Sequence, residues 1–168
     1  MERLVKRPKT IRFTVFKGIC PEYPNAPITL TNIQFNSINR TFLISMKINI
    51  KRNVHELNLK LHLQLKRCRS NDALDTCENY TTIKIKNFCS VLVDKGKPWT
   101  PFRKFMYPIA PECPAKKGEY EVRNGTFDGS AFNYFPISNF YWKVKALILN
   151  EQEEVILCTK VEGQIAPI

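Results

Sequence analysis

Six cysteines constrain the fold of this 168-residue chain more than any other feature of its sequence. They are spread along most of its length, at Cys20, Cys68, Cys77, Cys89, Cys113 and Cys158. No two of them have the Cys-x-x-Cys spacing of a zinc site or a thioredoxin-like redox site, and only His55 and His62 are available as further metal ligands. An even number of cysteines without a metal-binding pattern favours disulfides. We therefore expect no metal site and no cofactor.

Three N-glycosylation sequons accompany the cysteines, and they begin at Asn39, Asn79 and Asn124. Each lies in a turn-like or strand-edge stretch from which a glycan can project. Three sequons together with paired cysteines favour an oxidising, secretory compartment over the cytosol. We expect a secreted or extracellular protein, with the lysosomal lumen as the alternative. Residues 1–7 lack the apolar centre of a signal peptide, so we expect a mature chain whose leader has been removed.

Length and composition predict one domain over residues 1–168, in which residues 1–8 form a flexible basic tail. Hydrophobic residues make up 43% of the chain, which is enough for a sizeable core. No apolar run approaches the roughly 20 residues that a membrane-spanning helix needs, so we expect a soluble or peripheral protein.

Apolar and polar residues alternate through most of the chain, which is typical of strands with one buried face. The clearest case runs from Leu57 to Leu65, where every second residue is leucine. Similar alternation marks residues 42–50 and 140–148, and a phase change within 28–35 predicts a strand with a bulge. Seven to nine such strands separated by turns predict an all-β, two-sheet antiparallel sandwich.

Two segments depart from this alternation. Residues 88–93 are apolar at both odd and even positions, which predicts a short helix or a buried turn. Five prolines fall within residues 97–117, so we expect a loop or an edge strand there rather than a central strand.

The formal net charge of +11 raises the question of nucleic-acid binding. Many lysines, however, occupy the polar positions of the alternating strands, where a half-buried sheet places solvated side chains. These are Lys47, Lys60, Lys66, Lys84, Lys86, Lys143 and Lys145. We therefore expect a basic solvated surface and no nucleic-acid partner. Attraction to an anionic membrane surface is a second interpretation.

A series of short motifs in the last third of the chain has the order found in a known family. In sequence they are Cys113-Pro114, Gly118-Glu119-Tyr120, Pro136, Trp142-Lys143-Val144 and Cys158. In this order the chain resembles the ML family of lipid-recognition domains. It looks closest to the ganglioside-activator branch and to the insect chemosensory and uncharacterised secreted proteins related to that branch. The segment from Thr31 to Cys89 is similar to the same insect group.

The resemblance implies an immunoglobulin-like β-cup, in which the two sheets of the sandwich splay around an apolar cavity. It also implies the disulfide pairs Cys20–Cys158, Cys68–Cys77 and Cys89–Cys113. The ganglioside-activator branch has an additional bridge, which this chain lacks.

The sequence does not supply a catalytic site. A Ser-His-Asp or Cys-His site needs a histidine, and His62 occupies a polar strand position between two leucines. His55 precedes the same strand and is expected to be a turn residue. Neither a glycine-rich phosphate loop nor a carboxylate cluster stands out. We therefore expect a protein that is not an enzyme.

The family resemblance implies a protein that holds a hydrophobic ligand, such as a fatty acid, a glycolipid, a phospholipid or a hydrocarbon pheromone. Expected partners are this lipid, an anionic membrane surface, and a receptor or lipid-processing enzyme. The inward strand residues predicted to contact the ligand are Phe13, Phe42, Ile44, Met46, Leu59, Leu61, Leu63, Phe140 and Trp142. Apolar residues on loops, predicted to cover the cavity or insert into a bilayer, are Trp99, Phe102, Phe105, Met106, Tyr107, Phe132, Tyr134 and Phe135.

Three alternatives stay open on the sequence alone. The large inward side chains can fill the interior as an ordinary close-packed core. The loop aromatics can pack beneath their own loops. The chain can also be an extracellular interaction module or receptor co-ligand whose basic surface binds anionic partners.

Overall fold

The computed structural model describes residues 9–38, 41–70, 72–95, 100–126 and 140–167. The predicted basic tail, residues 1–8, lies outside this described part of the chain. Among the described residues, no helix has both the length and the apolar character needed to cross a membrane.

The described residues form nine strands and one short α-helix. The strands are β1 (Lys9–Lys17), β2 (Ile28–Ile38), β3 (Thr41–Ile50), β4 (Lys60–Cys68), β5 (Glu78–Ile85), β6 (Met106–Tyr107), β7 (Gly118–Gly125), β8 (Tyr141–Leu149) and β9 (Val155–Pro167). Helix α1 spans Phe88–Val93, and two 3-10 turns span Leu74–Thr76 and Thr100–Phe105.

The strands pair into two antiparallel sheets, which confirms the predicted all-β sandwich. The five-stranded sheet has the order β1-β9-β8-β4-β5, and the four-stranded sheet has the order β2-β3-β7-β6. Pairing of β1 with β9 places both ends of the described chain in one sheet. The two sheets come closest where β1 and β9 face β2, so this edge of the sandwich is closed.

Three local predictions are confirmed. The register of β2 against β3 shifts between Thr31 and Gln34, and Asn32 has a φ of 51° at this bulge. The bulge keeps Leu30 and Ile33, which are an odd number of residues apart, packed against the same core. Residues 88–93 form the short helix α1, and the two-residue strand β6 in the proline-rich segment lies at the edge of its sheet.

The prediction of one continuous strand from Leu57 to Leu65 is wrong at its beginning. Strand β4 begins at Lys60, which pairs with Leu149, and Leu57 is 61% exposed. The carbonyl of Leu59 accepts a hydrogen bond of 3.1 Å from the backbone N–H of Phe88. Because α1 takes this backbone acceptor, the ladder with β8 starts only at Lys60, three residues later than the leucine pattern indicates.

The main hydrophobic core lies between the two sheets. Strand β3 supplies one complete face, and the fully or nearly buried members of the core are Ile44, Met46, Ile48, Ile50, Val54, Leu59, Phe102, Val122, Ile148 and Ile156. At the closed edge, Phe13 stacks on Phe35 with ring centroids 5.8 Å apart and lies 4.9 Å from the ring of Phe42. These rings tie β1 to the β2–β3 hairpin.

Three disulfides link the described residues in the pairs that the family resemblance implies. Cys20–Cys158 joins residues 138 apart and packs with Leu147 and Leu149 outside the main core. Cys68–Cys77 closes the hairpin between β4 and β5. Cys89–Cys113 ties α1 to the segment before β7. Together they fasten both sheets and the segment between α1 and β7.

Candidate ligand-binding site

The candidate site is the inner face of the five-stranded sheet, toward its β5 edge. Alternation along β4 places Leu61, Leu63 and Leu65 on one face, and Leu61 packs against the main core. On β5, Ile85 lies opposite Leu61 and Ile83 lies opposite Leu63. A continuous apolar surface therefore runs along two neighbouring strands toward the edge of the sheet.

This apolar surface is incompletely covered by the described residues. Ile83 is 43% exposed, whereas Ile44 and Ile156 in the main core are 2% and 0% exposed. Leu63 and its β8 partner Ala146 are only half-buried. The sheets are thus closed along β1 and β2 but leave apolar side chains accessible toward β5.

A second apolar cluster lies on the same face, beyond Leu63. Its buried members are Leu65 and Trp142, with Phe140 and Val144 packed against them. The ring of Tyr80 meets the ring of Trp142 edge-on, with centroids 5.2 Å apart. This cluster is separate from the main core, so Leu63 and Ala146 lie between two packed regions.

Arg67 ends the apolar row on β4, where alternation places it on the face of Leu65. Its guanidinium carbon lies 4.7 Å from the ring centroid of Phe140 and 5.2 Å from that of Tyr80. Its Nη2 atom lies 3.3 Å from Oε1 of Glu78, a mostly exposed carboxylate. A concavity of about 450 Å³ borders Arg67, Arg69 and Phe140. A cation therefore stands at the end of an apolar surface, held by two aromatic rings.

The structure brings together four of the predicted contact residues, which are Leu61, Leu63, Phe140 and Trp142. Others belong to the packed part of the sandwich: Phe13, Phe42, Ile44, Met46, Leu59, Phe102, Phe105 and Met106. Tyr107 lies on the outer face of the four-stranded sheet, 40% exposed, with the guanidinium of Arg123 4.4 Å from its ring centroid. Predicted residues outside the described part are Trp99, Phe132, Tyr134 and Phe135.

Sequence reasoning did not include five residues that the geometry adds to the site. They are Leu65, Arg67, Tyr80, Ile83 and Val144. Ile83 and Ile85 alternate with polar residues, but only the pairing of β5 with β4 shows that they extend the leucine row. The position of Arg67 follows from its register partner Trp142 on β8, which no local pattern reveals.

Two of the three sequon asparagines are described, and both are exposed. Asn79 lies on the edge strand β5. Asn124 is the penultimate residue of β7, with a φ of 47°, and its Oδ1 accepts a hydrogen bond of 3.3 Å from Ser45 Oγ. Asn39 lies outside the described residues. Glycosylation at all three positions stays a prediction.

Away from the apolar cluster around Cys20–Cys158, the outer face of the five-stranded sheet is polar and charged. Glu22 Oε1 lies 2.8 Å from Lys160 Nζ, and Glu22 Oε2 lies 3.0 Å from Lys145 Nζ. Hydrogen bonds from these two ammonium groups lower the pKa of Glu22 from 4.5 to about 2. Tyr141 donates a hydrogen bond of 2.9 Å to Glu162 on the same face. His62 also points outward, at the register position opposite Lys84.

Glu22 is expected to make folding pH-dependent in acid. Because its pKa is lower in the folded state, its contribution is fully present above pH 4.5 and is lost as the pH falls toward 2. In Glu22→Gln this contribution is absent at every pH. Thermal unfolding of both proteins between pH 2 and 6 should therefore show a difference in Tm that is largest near pH 6 and smallest near pH 2. A constant difference across this range would contradict the ion-pair assignment.

The described residues contain no candidate metal site. Within them, no group of three or more His, Cys, Asp or Glu side chains is arranged to hold a metal ion.

Fold and site together define a disulfide-linked, two-sheet β-sandwich with an apolar inner face that is accessible at one edge. No protein-family model and no curated protein sequence matches the chain. Among solved structures, it is similar to the Niemann-Pick type C2 protein from Japanese carpenter ant, with 16% identity, 79% of this chain and 88% of that chain covered, and a TM-score of 0.35. It is also similar to chicken MD-1 complexed with lipid IVa, with 13% identity, coverage of 89% and 96%, and a TM-score of 0.36.

Proposed function

We propose that this chain is a secreted, non-enzymatic lipid-binding or lipid-transfer protein, which holds an apolar chain against the inner face of its five-stranded sheet. The observation that carries the proposal is the accessible apolar surface around Leu63, Ile83 and Ala146, between two packed clusters. Each methylene group that a ligand buries there contributes about 0.8 kcal/mol. A long hydrocarbon chain can therefore bind with few polar contacts.

The site supports an amphipathic ligand with an anionic head. The apolar row on β4 ends at Arg67, whose guanidinium can donate paired hydrogen bonds to a carboxylate or phosphate. Phe140 and Tyr80 hold this guanidinium beside the second apolar cluster. Among the expected ligands, fatty acids, anionic phospholipids and acidic glycolipids have this chemistry, and hydrocarbon pheromones do not.

Secretion is part of the proposal, with the lysosomal lumen as the alternative. It is supported by the three disulfides and by the exposed sequon residues Asn79 and Asn124. Kinship with the ganglioside-activator branch and with insect chemosensory proteins, and a receptor or lipid-processing enzyme as partner, are likewise proposed. These rest on the sequence motifs described above.

A charge placed on the proposed lining is expected to abolish lipid uptake. Ile83→Lys removes an apolar contact and puts an ammonium group against the hydrocarbon, so affinity for a fluorescent fatty acid should fall roughly 10- to 100-fold. The matched control is Thr82→Lys, an outward position on the same edge strand, which adds the same charge. Fluorescence titration of both variants checks the prediction. Equal affinity in the two variants would place the ligand elsewhere.

Loss of the Arg67 charge is expected to affect only ligands with an anionic head. Arg67→Gln should weaken binding of a fatty acid roughly 10- to 100-fold, because a hydrogen bond to a charged group contributes about 1.5–3 kcal/mol. The fatty alcohol of the same chain length should bind both proteins alike. Lys66→Gln, which removes a charge from the opposite face of β4, serves as the control. A parallel loss for acid and alcohol would contradict a headgroup contact.

A further inference from the structure

A basic groove crosses the outer face of the five-stranded sheet, on the side away from the proposed lipid site. It is an open concavity of about 660 Å³. Register pairing places its walls in two rows across β5, β4, β8 and β9. One row is Thr82, Gln64, Lys145 and Lys160, and the other is Asn79, Lys66, Lys143 and Glu162. The floor is formed by the residues between these rows, such as Leu65 and Val144, whose side chains point inward.

Each wall of the groove contains two lysines. Lys145 and Lys160 share the carboxylate of Glu22, and Lys143 lies 4.0 Å from Glu162. Within the described part of the chain, no carboxylate lies within ion-pair distance of Lys66. Four ammonium groups therefore outnumber two carboxylates. The Lys143–Glu162 pair is long and partly exposed, so an incoming anion can compete for Lys143 at little cost.

We propose that this groove binds one extended anionic glycan chain of the sulfated glycosaminoglycan type. The groove spans four strands, about 14 Å, and its two rows of side chains are about 7 Å apart, which suits a single linear chain. A flat bilayer would touch only its rims. Sulfate and carboxylate groups match the lysines on both walls. Gln64 and Thr82 add an amide and a hydroxyl group that can hydrogen-bond to sugar hydroxyls.

The test compares two double variants that remove the same charge from different sheets. Lys66→Gln with Lys143→Gln alters the groove, whereas Lys47→Gln with Lys51→Gln alters exposed lysines at the four-stranded sheet. All proteins carry Asn79→Gln, so that no glycan on this wall covers the groove. Binding of a heparin oligosaccharide is measured by calorimetry between 0.05 and 0.3 M salt, with vesicles containing anionic phospholipid as a second probe.

The groove variant is expected to bind heparin roughly 30-fold more weakly than the parent, since each lysine near an anionic surface contributes about fivefold. Its slope of log affinity against log salt should fall by about one to two. The control variant should stay within about threefold of the parent. The proposal is overturned if the parent does not bind heparin, if both variants weaken equally, or if the groove variant loses vesicle binding while retaining heparin. Circular dichroism and fatty-acid uptake, unchanged in both variants, show that the fold and the proposed lipid site are intact.

Discussion

Replacement of Cys20 and Cys158 by alanine is expected to lower the free energy of unfolding by about 5 kcal/mol. The bridge joins residues 138 apart, and a cross-link over so long a loop removes much of the conformational entropy of the unfolded chain. Both cysteines are also buried beside Leu147 and Leu149, where alanine leaves space. A domain of this size has a total stability of roughly 5–15 kcal/mol, so the double variant should be close to unfolding at 37 °C.

Urea unfolding under oxidising conditions measures this effect. The matched control is the double alanine variant of Cys68 and Cys77, whose bridge spans only 9 residues. The same loop-entropy relation gives it about 2.5 kcal/mol. The decisive observation is which of the two double variants loses more free energy of unfolding. If removal of the short bridge cost as much stability as removal of the long one, the length of the closed loop would not set the contribution. Strands β1 and β9 would then be held together by sheet pairing and not by the Cys20–Cys158 disulfide.

Two isoleucine-to-alanine substitutions should differ sharply in their effect on stability. Ile156 is 0% exposed in the main core, so Ile156→Ala should cost about 2–5 kcal/mol through lost burial and the cavity left behind. Ile83→Ala makes the same chemical change on the uncovered inner face, where the side chain is half-exposed and its removal takes away less buried apolar surface. We expect less than about 1 kcal/mol for Ile83→Ala in the ligand-free protein.

Thermal and urea unfolding of the two isoleucine variants, each with and without a bound fatty acid, completes this comparison. Ligand should raise the stability of the Ile156→Ala protein by nearly as much as it raises that of the parent. It should raise that of Ile83→Ala by less, because a lining contact is missing. An equal cost of the two substitutions without ligand would mean that Ile83 is packed in a closed interior, as in a filled sandwich.

The strands and the bulge were predictable because one physical rule governs them. An antiparallel sheet with one buried face requires apolar residues at every second position, and β3 follows this rule from Ile44 to Ile50. The bulge in β2 appeared as a change of phase for the same reason. The short helix α1 and the edge strand β6 were predicted less sharply, as a helix or turn and as a loop or edge.

Features set by distant contacts were not predictable from the sequence. The start of β4 depends on the hydrogen bond between Phe88 and Leu59, which lie far apart in the chain. Tyr107 shares a proline-rich segment with core residues, but its pairing with Glu121 turns it to the outer face. Arg67 belongs to none of the motifs found in the sequence, and only its register with Trp142 places it at the end of the apolar row.

Accessibility of the inner face is likewise a property of sheet spacing rather than of sequence pattern. Leu61 and Leu63 both lie between polar residues and follow the same alternation. Leu61 packs against the main core, whereas Leu63 lies between two separate clusters. The difference arises because the sheets are close at β1 and β2 and less covered toward β5. A leucine row alone therefore cannot distinguish a filled core from a ligand surface.

Native mass spectrometry of the purified secreted protein, followed by organic extraction and lipid analysis, tests the lipid-binding proposal most directly. We expect one apolar molecule per chain that is lost on denaturation, with an acyl chain and an anionic head. The Ile83→Lys protein, purified in parallel, should be free of it, and Thr82→Lys should retain it. A parent protein that carries no such molecule and takes up neither a fluorescent fatty acid nor a glycolipid would contradict the proposal and leave a filled sandwich with a basic outer face.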